Sequence, residues 1–463
     1  MQNPKYFAKL KIEVDGKGMR MIFNRQRYIK KLNQLSWNGL VKIITGVRRA
    51  GKSFILNELF YNSLISQGVL QNNIIRFAFD ADEDIDRLES FANGEPVKIA
   101  DKKLGYIINA KVFRRYIASQ INDSDKFYIF LDEVQLLDNF VGTLNSYLRH
   151  ANLDIYVTGS NSRFLSSDIV TEFKGRSTEV HVQPLTFAEY MESSSKTVSE
   201  SWADYIVTGG IPLVARMQNV EEQIKYLENL VKETYLKDVV QRNGVRKEQA
   251  LSETLQVIAS SIGAPVNPRK LSNTFISHGY GEITSETVSR FIDYYSDAFL
   301  VSKAQKYNIK GKKYIDSLFK IYFEDIGVRN ALLNFRQIEE SHIMENVIYN
   351  ELRYRGYNVD IGEMNIAENT GRKDKNNHDI YSQKSLEIDF IATLGSEKYY
   401  IQSALAMTTE EKSLQEKRSL YYIDNSFKKI VVTKNGLHVT RDNRGVITMD
   451  LFDFLLNEDS LKR

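Results

Sequence analysis

The chain has 463 residues and no cysteine. That absence removes disulfide staples, thiol nucleophiles and every cysteine-containing zinc site together. Histidine does not make up the deficit: His150, His181, His278, His342, His378 and His438 stand far apart, with no pair at metal-ligand spacing, which argues against a zinc enzyme. Proline is scarce too, at 6 residues, beside 42% hydrophobic and 11% aromatic residues, so the composition is that of a globular chain and not of a polar, proline-rich disordered one. No apolar run approaches the ~20 residues that span a bilayer. The N-terminal stretch MQNPKYFAKLKIEVDGKG carries charges throughout and lacks the apolar core of a signal peptide. A cytoplasmic protein without membrane contact is the expectation. Excess charge is missing as well, the net being +3, so any nucleic-acid contact must come from a local patch. The length predicts roughly three domains.

What is present concentrates early. Val41–Thr45 (VKIIT) is a short, β-branched apolar run that reads as a buried strand, and FILNELFYNSLI further on has helical spacing. Between them GVRRAGKS fits G-x-x-x-x-G-K-[ST] at every defined position, the pattern of a phosphate-binding loop between a strand and a helix. Its glycines let the backbone turn so that successive N–H groups converge on phosphates, and the following helix adds the partial positive charge of its N-terminus. On this reading Gly46, Val47, Arg48, Arg49, Ala50, Gly51, Lys52, Ser53 and Phe54 hold ATP. Lys52 neutralises the β- and γ-phosphates, and Ser53 supplies a hydroxyl to Mg²⁺.

A second apolar run, Phe127-Tyr128-Ile129-Phe130-Leu131, delivers Asp132 and Glu133 at its C-terminal end, where open α/β sheets bind ligands. Asp132 is expected to hold Mg²⁺ through water and Glu133 to polarise the water that attacks the γ-phosphate. Alone, such a pair suits an ordinary helix N-terminus equally well. With the upstream loop, the two signals agree on a nucleotide site. A third run, from Asp154 to Thr158, leads into Gly159-Ser160-Asn161-Ser162. There Asn161 would sense the γ-phosphate or hold the attacking water, although turn chemistry explains the same residues. In FKGRSTEV, Arg176 is the candidate arginine, completing the site in cis or acting as a finger on a neighbouring copy, with a surface salt bridge as the alternative.

Together GVRRAGKS, FLDEVQ, YVTGSNSRFL, the KGR ending at Arg176, PLTFAEY at 184–190 and TGGIP at 208–212 resemble the prokaryotic AAA-type ATPases of the archaeal-ATPase-like group, over about residues 25–401. The resemblance implies an α/β chain: a P-loop NTPase domain of the AAA type with a parallel sheet, then a winged helix, then a restriction-endonuclease-like, PD-(D/E)XK-like α/β domain. It bears on fold more than on purpose, since the role of most members is undefined.

Between 250 and 313, LSETLQVIASSIGA reads as a helix, Asn267-Pro268 opens a shorter one, and Thr284-Ser285-Glu286-Thr287-Val288 starts a third that is apolar on one face. Residues 303–313 (KAQKYNIKGKK) then carry five Lys and no acid, with Gly311 placed for a turn between two short strands. As a winged helix, 284–313 would set its third helix in a major groove of double-stranded DNA and the lysines over phosphates. Glu286, Asp293 and Asp297 against Arg290 oppose that reading; a lid that merely packs on the ATPase is the competing one.

In the last part of the chain a helix at 344–352, a strand at 357–359 and strands at 386–391 and 398–404 resemble the PD-(D/E)XK nuclease core, in which a helical Glu, a strand Asp and an E-x-K triplet bind Mg²⁺ and activate water. Glu345 and Asp389 match. The triplet position reads Gln402-Ser403-Ala404, an amide for the carboxylate and a methyl for the lysine, so a catalytically degenerate fold that recognises without cutting is expected. A nuclease recruiting another lysine, such as Lys398, is the weaker alternative. The polar stretch 362–385 reads as a loop.

The expected divisions are an N-terminal extension (1–20), the ATPase core (21–190), a helical lid or connector (191–245), the winged helix (246–335) and the nuclease-like domain (336–463). The functional expectation is Mg²⁺-dependent ATP hydrolysis whose nucleotide state controls a C-terminal module. That module would bind DNA through 284–313 or a protein through the last domain, and further copies of the chain would be partners if Arg176 acts in trans. A nucleotide-bound DNA-binding or scaffolding protein that does not hydrolyse is the alternative.

Overall fold

VKIIT and FYIFLD are buried at every position, a pattern that only a sheet covered on both faces accommodates. The computed structural model that contains this sheet describes residues 12–15, 18–21, 23–102, 104–159, 173, 175–277, 283–373, 375, 378–434 and 439–462. Its first strands, β1 (Ile12–Asp15) and β2 (Gly18–Met21), form a short hairpin. There follow β3 (Val41–Thr45), β4 (Ile74–Ala78), a second hairpin of β5 (Lys98–Asp101) and β6 (Gly105–Ile108), then β7 (Phe127–Asp132), β8 (Leu153–Thr158) and β9 (Ser177–His181). The central sheet has the order β4-β7-β8-β3-β9, and every neighbouring pair is parallel. All five strands therefore end at one edge, where crossing helices begin.

One polar pair lies inside this sheet. Lys42 of β3 is wholly buried and forms an ion pair with Asp154 of β8. The same carboxylate accepts the Tyr156 hydroxyl at 2.9 Å and the Trp37 backbone N–H at 3.0 Å.

After β9 the chain becomes helical. Val198–Thr208 starts on a capping box, with the Thr197 hydroxyl and the Glu200 carboxylate each taking a backbone N–H. It stops at Gly209, whose φ is +71°, and a Cβ there would stand 2.4 Å from Asp325 Oδ1. Neighbouring Gly210 approaches just as closely: its Cβ would lie 2.2 Å from the Leu185 carbonyl oxygen. This bare turn lets the buried Asp325 carboxylate accept the Gly210 N–H at 2.7 Å and the Val328 N–H at 2.9 Å. Pro212–Arg216, Val220–Asn229, the π-helical Leu230–Leu236 and Lys237–Asn243 complete the connector.

Helices Glu248–Ser260, Pro268–Ser277 and Ser285–Asp297 stand where the periodicity places them. They are threaded with β10 (Pro265–Val266), β11 (Val301–Asn308) and β12 (Lys313–Phe323). These strands then join β13 (Asn358–Lys373), β14 (Asp379–Leu394), β15 (Glu397–Ala404), β16 (Lys428–Thr433), β17 (Thr440–Arg441) and β18 (Val446–Asp450) in one nine-stranded sheet. Its order is β10-β12-β11-β13-β14-β15-β16-β18-β17. The seam is the parallel pairing of Lys306, Tyr307 and Asn308 with Ile361, Gly362 and Glu363, so the sheet runs unbroken across the 335/336 division.

The expected loop at 362–385 is instead the outer half of a long antiparallel ribbon, with Asn365 opposite Ser385 and Asn369 opposite Tyr381. Its composition misleads because the side chains beyond Asn369 are exposed on both faces, leaving no hydrophobic alternation. The ribbon is held by backbone hydrogen bonds. A single apolar core runs from one face of the P-loop sheet (Ile44, Phe130, Tyr156) through the connector (Trp202, Leu227) into the nine-stranded sheet (Tyr322, Phe390, Ile401).

Replacing Asp154 with Asn leaves the Lys42 ammonium buried without its counter-charge. The expected cost is about 3 kcal/mol or more, read as a lower urea midpoint with an unchanged m-value.

Candidate functional site

At the C-terminal edge of the parallel sheet lies a cleft of about 1070 Å³. The chain enters it from β3 through Gly46, whose φ is +134° and whose Cβ would stand 2.0 Å from the Val182 carbonyl oxygen; only glycine fits. Arg48, Arg49, Ala50, Gly51, Lys52, Ser53 and Phe54 then line the cleft, while Val47 is buried. The buried Lys52 ammonium donates to the carbonyls of Gly46 at 2.9 Å and Val47 at 3.1 Å. Burial pushes it down to about 8, with Arg48 and Arg242 acting in the same direction and Glu133 and Asp132 opposing them.

The acidic side comes from the strand ends. Asp132 closes β7, accepts the Thr158 hydroxyl and lies 3.4 Å from Asn57 Nδ2. Glu133 turns out of the strand at φ +51° into the cleft, where its carboxylate accepts the Gln135 amide and its N–H is donated to Thr158 Oγ1 at 3.3 Å. Asp80, beyond β4, joins them; burial and the neighbouring Glu133 and Asp132 push its carboxyl upward. The hydroxyl of Ser53 and the carboxylate of Asp132 are hard oxygen donors that suit Mg²⁺, an ion that takes its remaining ligands from phosphates and water. Among the described residues, no three His, Asp or Glu side chains converge to hold a metal by themselves.

One expected residue stands apart from this arrangement and another is not described. Asn161 lies outside the described residues; the polar side chain found at the end of β8 is Thr158. Arg176 is exposed, and its carbonyl accepts the Val41 N–H at 3.0 Å. With Ser177 opposite Val41 and His181 opposite Thr45, Arg176 stands at the far edge of the sheet from the loop, a strand's length of about 3.3 Å per residue away. Its own cleft is out of reach.

Sequence reasoning missed several cleft residues because they arrive from distant segments. Arg25 donates to the Ala50 carbonyl at 3.4 Å and pairs with Glu189 at 3.1 Å. Arg216, on the short helix after TGGIP, packs its guanidinium over the rings of Phe23 and Phe54. Asp238 and Arg242 come from Lys237–Asn243. Six basic side chains (Arg25, Arg48, Arg49, Lys52, Arg216, Arg242) line the cleft against four acidic ones (Asp80, Glu133, Asp238, Asp297), a balance that suits a polyanion.

The nuclease-like positions also gather, around a different lysine. Lys320 of β12 pairs with Glu345 at 3.0 Å and Glu387 at 2.8 Å, and Tyr322 donates to Glu345 at 2.7 Å. Lys306 ties Glu387 to Glu363. Asp389 accepts the Ser403 N–H at 2.8 Å, and burial with Glu345 nearby pushes it up to about 8. Gln402 Oε1 is buried without a hydrogen-bond partner. Lys398 sits elsewhere, over the ring of Phe427.

Residues 38–191 match the model of a family described as an AAA domain, and residues 199–339 match a domain of unknown function, DUF8612. Residues 38–191 thus carry the parallel α/β sheet of a P-loop NTPase-like domain and are similar to the AAA-domain family. Along most of its length the chain is similar to uncharacterized proteins. One, from Haemophilus influenzae, is 28% identical over 445 residues, 94% of this chain and 99% of that one. Another, from Methanocaldococcus jannaschii, is 24% identical over 427 residues, 85% and 84% of the two chains. The Walker-type ATPase PABY2304 of Pyrococcus abyssi is similar in structure at 15% identity and a TM-score of 0.43, over 67% of this chain and 96% of that chain. Among the described residues, no helix is long and apolar enough to cross a membrane.

Because the folded carboxyl of Asp389 titrates near 8 and an unfolded one near ~3.9, the native state binds the extra proton between those values. Stability contributed at this group falls as pH rises through that window. Asp389→Asn, which can still accept the Ser403 N–H, is expected to gain in Tm over the wild type as pH goes from 6 to 9.

Proposed function

We propose that the chain binds Mg·ATP in the cleft and hydrolyses it, and that the nucleotide state is passed to the C-terminal module. The observation that carries this reading is the convergence of Lys52 from the loop after β3 with Glu133 from the end of β7 on one cleft rich in basic side chains, with Asp132 close enough to act on the Lys52 ammonium. In the reaction, Lys52 exchanges the Gly46 and Val47 carbonyls for phosphate oxygens and neutralises charge as it develops. Glu133, oriented by Gln135, polarises the attacking water. Mg²⁺, held by Ser53 and Asp132, supplies the Lewis acidity when bound. Thr158 keeps the Asp132 carboxylate in place.

Two connections lead from the cleft to the rest of the molecule. The Tyr235 hydroxyl donates to the Arg48 carbonyl at 2.8 Å. Thr45, the residue before the loop, contacts His181 Nδ1 at 3.2 Å, and His181 reaches the buried Glu324, which Arg353 also pairs with. The three helices and the β11–β12 hairpin act in this reading as a winged helix for double-stranded DNA. Lys303 is paired with Asp293, and Lys306 with Glu363 and Glu387, so the phosphate contacts fall to the exposed Lys310, Lys312 and Lys313. In the nuclease-like cluster the ammonium of Lys320 already engages Glu345 and Glu387, which supports recognition without cleavage.

Lys52→Ala is expected to abolish Mg·ATP binding measured by calorimetry. Glu133→Gln should bind normally and turn over about 10²–10⁴-fold more slowly, the range for a lost general base. Hydrolysis by Glu133→Gln at the wild-type rate would remove Glu133 from the reaction. Changing Lys310, Lys312 and Lys313 together to Ala should weaken duplex binding for every sequence and flatten its salt dependence; an unchanged salt slope would place the DNA contact elsewhere.

A further inference from the structure

The loop that meets phosphate is fastened to the helical connector by an acid. Asp238 lies on Lys237–Asn243, nearly two hundred residues after the loop, and lines the same cleft as Lys52. Its Oδ2 is 2.8 Å from Arg48 Nε, in the phosphate loop, and 3.2 Å from a guanidinium nitrogen of Arg242, one helical turn further on. One carboxylate oxygen thus sits between two guanidinium groups, the arrangement in which arginines otherwise hold a phosphate oxygen.

We propose that Asp238 is a built-in stand-in for phosphate, and that nucleotide entering the cleft takes Arg48 and Arg242 from it and so releases the helix that carries it. This rests on the reading of the cleft as a nucleotide site. The electrostatics favour the exchange. Burial pushes the Asp238 carboxyl up and the Arg242 guanidinium down, so each charge is held at a desolvation cost that the shared pair only partly offsets. Asp238 divides one negative charge between two guanidinium groups, with Glu133 also acting on Arg242, whereas a triphosphate brings several charges to both. It is an ion exchange and requires no covalent step. The helix is built to move: Lys237–Asn243 continues directly from the π-helical Leu230–Leu236, whose hydrogen-bond spacing is a local irregularity of the kind found at functional sites. It also packs against Ser285–Asp297, so its release would be felt in the helical triplet.

The test uses the full chain and Mg·AMP-PNP. Asp238→Asn, which keeps the shape and removes the competing charge, is expected to bind the analogue about tenfold tighter than the wild type by calorimetry. Asp238→Glu, which keeps the charge, should stay within about threefold of the wild type. In the wild type, hydrogen exchange of the amides at 237–243 should accelerate on adding the analogue. If the wild type binds and Asp238→Asn binds no more tightly, or Asp238→Glu tightens equally, or the amides at 237–243 do not accelerate, the stand-in role is overturned while the nucleotide site stands. If neither the wild type nor Asp238→Asn binds the analogue, the reading of the cleft falls and this inference with it.

Discussion

One buried carboxylate sets the position of the cleft wall. Asp325 stands at the junction between the nine-stranded sheet and the helix Ile326–Leu332, and it reaches back more than a hundred residues to take the Gly210 N–H. Burial pushes it up to about 6, against the backbone N–H groups that hold it down. The contact exists because residues 209 and 210 have no side chains: a Cβ at either would run into Asp325 or Leu185. Directly after them, Ile211 and Pro212 start the short helix that brings Pro212, Leu213 and Arg216 to the cleft, with Pro212 Cγ 3.9 Å from where a Cβ on Gly51 would be. Connector and C-terminal sheet therefore meet at this bond, with glycines making room for it, beside the short helix that reaches the phosphate loop.

Both charged sites follow one electrostatic plan. In the cleft, Lys52 is buried and satisfied by loop carbonyls, and the nearby carboxylates partly offset the burial that lowers its affinity for a proton. In the C-terminal cluster the balance tips the other way: Glu345, Asp389 and Glu387 outweigh burial and raise Lys320 above the ordinary lysine range. The first ammonium rests on two neutral carbonyls; the second is engaged by the carboxylates around it.

How much of this was readable in advance depends on separation along the chain. The phosphate loop, the Asp132–Glu133 pair and the three helices before the hairpin were legible because each is a local pattern: a spacing, an apolar run ending in acids, a 3.6-residue period with a cap. The cleft residues Arg25, Arg216, Asp238 and Arg242 were not, because what makes them part of the site is the packing of distant segments. Lys320 shows the same limit. The triplet position and Lys398 point to the end of the chain for a lysine, yet the one at the cluster comes from a strand separated from that of Asp389 by two helices and one strand. The β13–β14 ribbon was hidden for another reason, since two-sided exposure removes the alternation by which a strand is recognised.

The shared nine-stranded sheet also constrains how such a chain can change over generations. Domains joined by a linker can be swapped, duplicated or lost by recombination at the linker. Here the hairpin that follows the helical triplet is hydrogen-bonded, through Lys306–Asn308 and Ile361–Glu363, to the sheet that follows it, and one apolar core continues back to the P-loop sheet. A crossover near residue 335 would leave two unpaired sheet edges and an opened core. Inheritance of the whole length as a unit is the physical expectation, and the 94% and 99% of the two chains matched by the Haemophilus relative agree with it.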